Sequence, residues 1–281
     1  MFFMANLKDK VIVITGAGGV LCSFFAKELA KDGAKIALLD LNLDAAKKYA
    51  DEINAAGGKA IAVSCNVLEP EKVKEAHEEV KKAFGPCDIL INGAGGNNPM
   101  ATTTQELFKV EDWKNPNERT LLDIDANAFM KVFSINFMGT LIVTQEFAPD
   151  MVEAGKGSIL NISSMASASP MTKVPAYAAA KAGITNFTKY LCVYFAECGI
   201  RVNAIAPGFF ETIQNAALLR NPDGSLTERS HKILTHTPMK RFGVEKDLIG
   251  TVRYLLDDDA AAFVTGIEVP IDGGFWAYSG V

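Results

Sequence analysis

Apolar residues along this chain fall into two repeating patterns: short unbroken β-branched runs, and longer segments with apolar positions three or four apart. Lys10 to Thr15 (KVIVIT) has no polar alternation, as expected of a strand buried on both faces. A helical segment follows over Leu21–Lys31. Lys35–Leu39 then reads as a second strand ending at Asp40, and Leu43–Ala56 as a helix stopped by Gly57-Gly58. The alternation continues. Ala60–Ser64 is a third strand, and Pro70–Phe84 a helix whose wet face carries Glu71, Glu78, Glu79, Lys81 and Lys82. Further strands are predicted at Cys87–Ile91, Ser158–Ile162, Ile200–Ala206 and Ile267–Ile271. The helices between them are Ala126–Asp150, Ala176–Ala196 and Glu245–Leu256. Regular strand–helix alternation predicts an α/β fold: a Rossmann-type, doubly wound parallel sheet of about seven strands, with helices on both faces. No linker, repeat or low-complexity stretch interrupts it, so a single domain over 1–281 is expected.

Two stretches lack a period. Residues 97–125 are polar and irregular, long for a strand-to-helix connection, and are expected to form part of a substrate mouth. Residues 208–240 contain the turn Asn221-Pro-Asp-Gly and are the candidate lid, and 272–281 form a C-terminal tail.

Composition narrows the function classes. With 49% hydrophobic and 22% charged residues the chain is an ordinary globular protein, and its net charge of −5 argues against nucleic acid as a partner. No apolar run is read as long enough to span a membrane, and the N-terminal MFFMANLKDK is too quickly charged for a signal peptide. Five cysteines lack metal or redox spacing, and the three histidines His77, His231 and His236 are scattered. The expectation is a reduced, cytoplasmic protein with no metal and no membrane partner.

The chemistry concentrates at the carboxyl ends of the strands. Gly16-Ala-Gly-Gly after the first strand opens a helix, so N–H groups around Gly16, Gly18, Gly19, Val20 and Leu21 can receive a pyrophosphate. Leu21 stands where the dinucleotide fingerprint has its third glycine, so the strand-before, helix-after context carries the assignment. Asp40 can accept hydrogen bonds from both ribose hydroxyls and repels a 2′-phosphate. Leu41 follows it, and no Arg or Lys lies in the glycine turn, which favours NAD over NADP. Asn92-Gly-Ala-Gly-Gly forms a second flexible loop. Asn136, inside an apolar helix, needs a reason: a kink or a catalytic water site. Ser163 and Ser164 end a strand, Tyr177 follows, and Lys181 sits one turn beyond Tyr177 on the same helix face. An ammonium so placed is expected to ease ionisation of the phenol, making Tyr177 a general acid or base with Ser164 holding the substrate oxygen. Tyr–Lys at this spacing is common, and a Ser-Ser strand end is often only a turn. The case rests on all these features together.

Together these residues resemble the short-chain dehydrogenase/reductase family along nearly the whole chain. Thr15-Gly16 is similar to the start of its TGxxxGxG loop, Asn92-Gly93-Ala94-Gly95 to its NNAG, and Asn136 with Ser164/Tyr177/Lys181 to its catalytic group. Pro207-Gly208 with Thr212 resembles its cofactor-binding turn, which includes Phe210. Three departures stand out: Val20 and Cys22 replace glycines, Gly93 replaces an asparagine, and Asn66, beside Val67 at the expected adenine site, replaces an aspartate. The resemblance implies that Lys181 bonds the nicotinamide ribose and that Asn136 fixes a water relaying protons to it. It also implies a homotetramer, with the helices around 126–150 and 176–196 in one interface and Phe275, Trp276 and Tyr278 in another. Within the family, TGAGGVLC, INGAGGNNP, ALLRNPDG, TPMKRFG and PIDGGFWAYSGV resemble the D-mannonate oxidoreductases (fructuronate reductases). A sugar acid is therefore the expected substrate, met by Asn97, Asn98, Ser164, Lys173, Gln214 and Asn215, with Lys173 facing its carboxylate or else pointing into water. The alternatives are a gluconate 5-dehydrogenase or another keto-uronate reductase and, outside catalysis, an NAD(H)-sensing regulator.

Overall fold

The structure, a computed structural model, describes residues 5–212 and 215–280. Its elements follow one another as β1 (Val11–Thr15), α1 (Val20–Lys31), β2 (Lys35–Asp40), α2 (Leu43–Ala55), β3 (Lys59–Ser64), α3 (Pro70–Phe84) and β4 (Ile89–Asn92). Then come α4 (Ala126–Ala154), β5 (Gly157–Ile162), α5 (Pro175–Tyr194), β6 (Ile200–Pro207), α6 (Ala216–Leu219), α7 (Glu228–His236), α8 (Lys246–Leu256) and β7 (Glu268–Ile271). The seven strands form one sheet in the order β3-β2-β1-β4-β5-β6-β7, and every pairing is parallel. Such a sheet buries both faces, which is why β1 runs without polar alternation and both β1 and β6 are fully buried, Arg201 and Asn203 of β6 included. One core layer packs α1, α2 and α8 residues such as Phe25, Leu29 and Leu248 on the sheet; the other packs Val73, Val80, Phe147 and Leu191 from α3, α4 and α5.

Three expectations change. Helix α4 runs through Pro149 to a left-handed Gly155 cap instead of stopping at Asp150. Long-range partners hold that last turn. The buried Asp150 carboxylate accepts from Cys87 N (2.8 Å) and Lys81 Nζ (2.9 Å) and meets His77 Nε2 (2.8 Å), tying the turn to α3 and the start of β4. The resulting helix of 29 residues is, by length and composition, apolar enough to cross a membrane, contrary to the sequence expectation, although one such helix is weak evidence for a span. It lies against α5 and α3 in the sheet's outer layer. In the 208–240 stretch, α7 forms although only Ile233 and Leu234 supply its apolar face. The Thr227 side chain caps its start by accepting from Ser230 N (3.2 Å), and Ile233 packs with Leu219 and Phe242.

Candidate active site

The carboxyl ends of β1, β4, β5 and β6 open onto one cleft of about 620 Å³, at the point where the strand order reverses between β1 and β4. Gly16, Gly18, Gly19, Val20, Leu21, Asp40, Gly93, Asn136, Ser164, Tyr177, Lys181, Pro207, Gly208, Phe210, Thr212 and Asn215 all line it. Of the other lining residues, Cys22, Gly95, Gly96 and Ser163 belong to motifs singled out in the sequence, Met165 and Met171 flank the expected mouth, and Asn42, Ala45, Ile162 and Phe209 were missed. Most flank a predicted residue by one or two positions, so proximity in sequence was the available signal.

The glycine turn is shaped by close backbone approach. Gly16 has φ +66°, and a Cβ there would lie 2.8 Å from Ala94 Cα. Thr15 Oγ1 accepts from Gly93 N and Ala94 N, both at 3.1 Å, locking the two loops together. Gly93 explains two departures from the family pattern at once. A Cβ at this position would sit 2.2 Å from Cys22 Sγ, so the Cys22 side chain occupies the space an asparagine's Cβ would need. Asp40 is held rigidly at the other end of the cleft: Oδ2 accepts from Gly18 N and Oδ1 from Asn42 N, each at 2.8 Å. Helix α1 begins at the cleft, and no side chain caps its first N–H groups. This cradle fits a dinucleotide: backbone donors lie at the turn, where side chains would collide, and a fixed carboxylate stands beside it.

At the other side, Tyr177 and Lys181 project from α5 towards the end of β5. Lys181 is 5% exposed; its Nζ donates to Ile162 O (2.7 Å) and lies 5.6 Å from the Tyr177 ring centre. Burial pushes its ammonium down to about 8, so it is mostly protonated at neutral pH. The Tyr177 phenol is not eased towards neutrality as expected. Burial raises it above its ordinary value, and a hydrogen bond from Ser164 offsets this only in part. The ammonium is directed at the Ile162 carbonyl, and desolvation is the largest influence on the phenol. Burial likewise lifts the Cys22 thiol to about 12, leaving it protonated and unreactive beside the cleft.

Asn136 is fully engaged: Nδ2 donates to Gly96 O (2.7 Å) and Val132 O (2.8 Å), while Oδ1 accepts from Gly96 N (3.2 Å). Its side chain therefore pins the Gly95–Gly96 loop. Asn215 acts similarly, accepting from Thr212 N (2.8 Å) and donating to Phe210 O (2.7 Å).

Several predicted residues lie off the cleft lining. Asn92 is buried beneath it, donating to Thr144 Oγ1 and Asn161 Oδ1. Ala94 serves through its backbone, Leu41 is 73% exposed, and Val67 is buried against Gly139. Asn66 bonds Glu69 Oε1 and Leu68 N within its own turn. Asn97 is exposed, and Asn98 caps a short turn through Met100 N. Lys173, in a left-handed conformation at φ 72°, holds Thr103 N with its carbonyl (3.0 Å). Its charge acts on Glu118, whose carboxyl is held below its ordinary value by Thr104, Gln105 and then Lys173. Gln214 lies outside the described residues. Lys181 is the one cation lining the cleft among the described residues, and Lys173 lies off that lining. No group of three or more His, Cys, Asp or Glu among the described residues is arranged to hold a metal.

Comparison with known proteins fits this geometry. The short chain dehydrogenase family profile matches residues 10–223. An uncharacterised oxidoreductase of Haemophilus influenzae is 54% identical over 276 residues, covering 98% of this chain and 96% of its own. The uncharacterised Bacillus subtilis oxidoreductase UxuB is 51% identical over 277 residues, 98% of each chain. A crystal structure from Haemophilus influenzae, of a protein provisionally assigned as a D-mannonate oxidoreductase and holding NAD, superposes with a TM-score of 0.95 at 54% identity, covering 99% of this chain and 98% of that one. With the profile spanning most of the chain and relatives above half identity along its length, the chain belongs to the short chain dehydrogenase family and is an NAD(P)-dependent oxidoreductase acting on CH–OH groups.

Proposed function

We propose that the enzyme uses NAD(H) to interconvert a ketone and a secondary alcohol on a sugar acid, D-fructuronate and D-mannonate. The observation that carries the chemistry is the Ser164–Tyr177–Lys181 group at the cleft, opposite the fixed Asp40 carboxylate. The substrate choice draws on the similarity to the protein provisionally assigned as a D-mannonate oxidoreductase. In reduction, Ser164 donates a hydrogen bond to the ketone oxygen, and Tyr177 gives its phenolic proton to that oxygen as negative charge develops there. A nicotinamide, when bound, supplies the hydride; in the oxidising direction hydride and proton leave the alcohol for the same two acceptors. Lys181, mostly protonated at neutral pH, supplies positive charge that favours the phenolate and a donor for the cofactor's ribose. Asn136 positions the Gly95–Gly96 wall through its side chain. A water relay from it to Lys181 remains part of the proposal.

Preference for NAD over NADP rests on Asp40. Both its oxygens are oriented by backbone N–H groups, and a 2′-phosphate at this place would meet a carboxylate held in position. The stretch 208–240 is proposed as the lid, since Phe209, Phe210, Thr212 and Asn215 line the cleft from it. A homotetramer is proposed as the working assembly, with α4 and α5 in one interface: Val152, Tyr190, Val193 and Tyr194 are exposed apolar residues there. A cytoplasmic setting is proposed with it. The test is a panel of keto-sugar acids, including D-fructuronate and 5-keto-gluconate, offered with NADH or NADPH and followed by absorbance. Turnover of 5-keto-gluconate but not fructuronate replaces the substrate; no turnover with any ketone removes the mechanism.

A further inference from the structure

A carboxylate off the cleft lining touches both segments that carry the proposed proton-transfer groups. Glu268, half-buried at the start of β7, accepts from Ser167 Oγ on both oxygens (3.0 and 3.2 Å) and from Thr185 Oγ1 (2.7 Å). Ser167 closes the short turn that Ser164 begins: Ala166 N donates to Ser164 Oγ (3.1 Å) and Ser167 N to Ser164 O (2.9 Å). Thr185 stands one helical turn beyond Lys181, with its Oγ1 3.2 Å from Lys181 O and 3.1 Å from Ser163 Oγ. A threonine hydroxyl has one proton and lone pairs to accept another. Donation to the charged carboxylate is the stronger choice, which leaves Thr185 Oγ1 free to accept from Ser163. Glu268 thus joins the turn after β5, the middle of α5 and the strand β7.

We propose that Glu268 is a positioning residue whose carboxylate ties the Ser164 turn to α5 and so holds the Ser164 hydroxyl against the Tyr177 phenol. Ser164 and Tyr177 come from separate elements and line the same cleft, and their relative placement depends on how the turn sits against the helix. Two charge-assisted hydrogen bonds to one anchored group restrict that relative position more than the neutral Ser163–Thr185 bond does alone. Glu268 is itself anchored by its register opposite Ala204 in β6. The inference rests on the roles given above to Ser164 and Tyr177.

The test compares Glu268→Ala, Glu268→Gln and Ser167→Ala with any ketone the wild type reduces, so it does not depend on the sugar acid being right. Glu268→Ala is expected to lower kcat by roughly 10- to 100-fold, because small misplacements of reacting groups cost that much, while KM for NADH stays within about twofold. Glu268→Gln restores most of the rate, since its amide oxygen can accept from both hydroxyls. Ser167→Ala, which leaves β7 untouched, reproduces most of the loss. Wild-type kcat in Glu268→Ala, or parallel loss of rate and NADH affinity in all three variants, overturns the proposal. Crystal structures of wild type and Glu268→Ala give an arm that needs no turnover: Ser164 Oγ is expected to lie farther from the Tyr177 hydroxyl in the variant than in the wild type. An unchanged distance overturns the clamp, whereas an inactive wild type overturns only the function proposed above.

Discussion

Burial of the Lys181 ammonium makes the stability of the cofactor-free protein depend on one side chain. Its pKa in the fold is about 8 against an ordinary 10.5. At about 1.4 kcal/mol per pH unit that gap corresponds to roughly 3 kcal/mol. Below pH 8 the lysine is protonated in both folded and unfolded chains, and the fold bears the full cost of removing water from the charge. Between pH 8 and 10.5 the fold has released a proton that the unfolded chain still holds, so stability rises with pH and the cost fades. Lys181→Met keeps the reach of the side chain and removes the charge. It also removes the bond from Nζ to Ile162 O, and a buried carbonyl left unpaired costs roughly 1–3 kcal/mol. At pH 7 the variant is therefore expected to equal or exceed the wild type in stability, by up to roughly 2 kcal/mol. The change with pH does not depend on that offset. From pH 7 to pH 10 the wild type should gain roughly 2–3 kcal/mol relative to the variant. Urea unfolding of both cofactor-free proteins, at one protein concentration and a series of pH values, measures this directly. Cys22 and Cys65, raised by burial to about 12 and about 11, titrate in both proteins, so their opposite trend largely cancels in the difference. A difference that stays flat from pH 7 to pH 10 would refute the account of Lys181 as a desolvated cation.

Tyr177→Phe is expected to lower kcat by at least about 100-fold while NADH still quenches or shifts fluorescence on binding, because only the proton donor is lost. Retention of more than roughly a hundredth of wild-type kcat removes Tyr177 as the acid. Asp40→Ala should narrow the ratio of kcat/KM for NADH over NADPH, weakening the first and improving the second; a wild type that uses both cofactors equally contradicts the role given to this carboxylate. Gly93→Asn should be strongly destabilising alone, since its Cβ falls 2.2 Å from Cys22 Sγ. Adding Cys22→Gly should recover stability, with a coupling of roughly 1 kcal/mol or more in a thermal-denaturation cycle, and additive effects would show that the two sites do not share that space.

The fold was legible because a doubly covered parallel sheet writes its strands as uninterrupted apolar runs, as in Val11–Ile14 and Ile36–Leu39. Element ends were legible where the signal is local, such as Pro70 opening α3 and the acid ending β2. They failed where partners are distant. Pro149 suggests a stop, but Asp150 finds Cys87, His77 and Lys81 across other elements and the helix continues. The short α7 has too few apolar positions to reveal a period. In the cleft, the spacing of Ser164, Tyr177 and Lys181 showed which residues meet, since helix periodicity is a local property. It could not show how deeply they are buried, and burial sets the direction in which Tyr177 and Lys181 shift. Cys22 and Gly93 were each visible as departures from a pattern; that one side chain fills the other's place depends on the loops after β1 and β4 facing each other. Sequence likewise gives no side-chain direction in an irregular loop, which is why the two alternatives for Lys173 could not be separated there; in the structure it lies off the cleft lining.

The central claim is that this cleft reduces a keto-sugar acid with NADH, and steady-state kinetics on D-fructuronate test it most directly. The account predicts NADH-dependent formation of D-mannonate, with kcat/KM for fructuronate well above that for 5-keto-gluconate and for NADH well above that for NADPH, all of it lost in Tyr177→Phe. Absence of turnover with fructuronate and mannonate alike, in a wild-type protein that binds NADH, would contradict it.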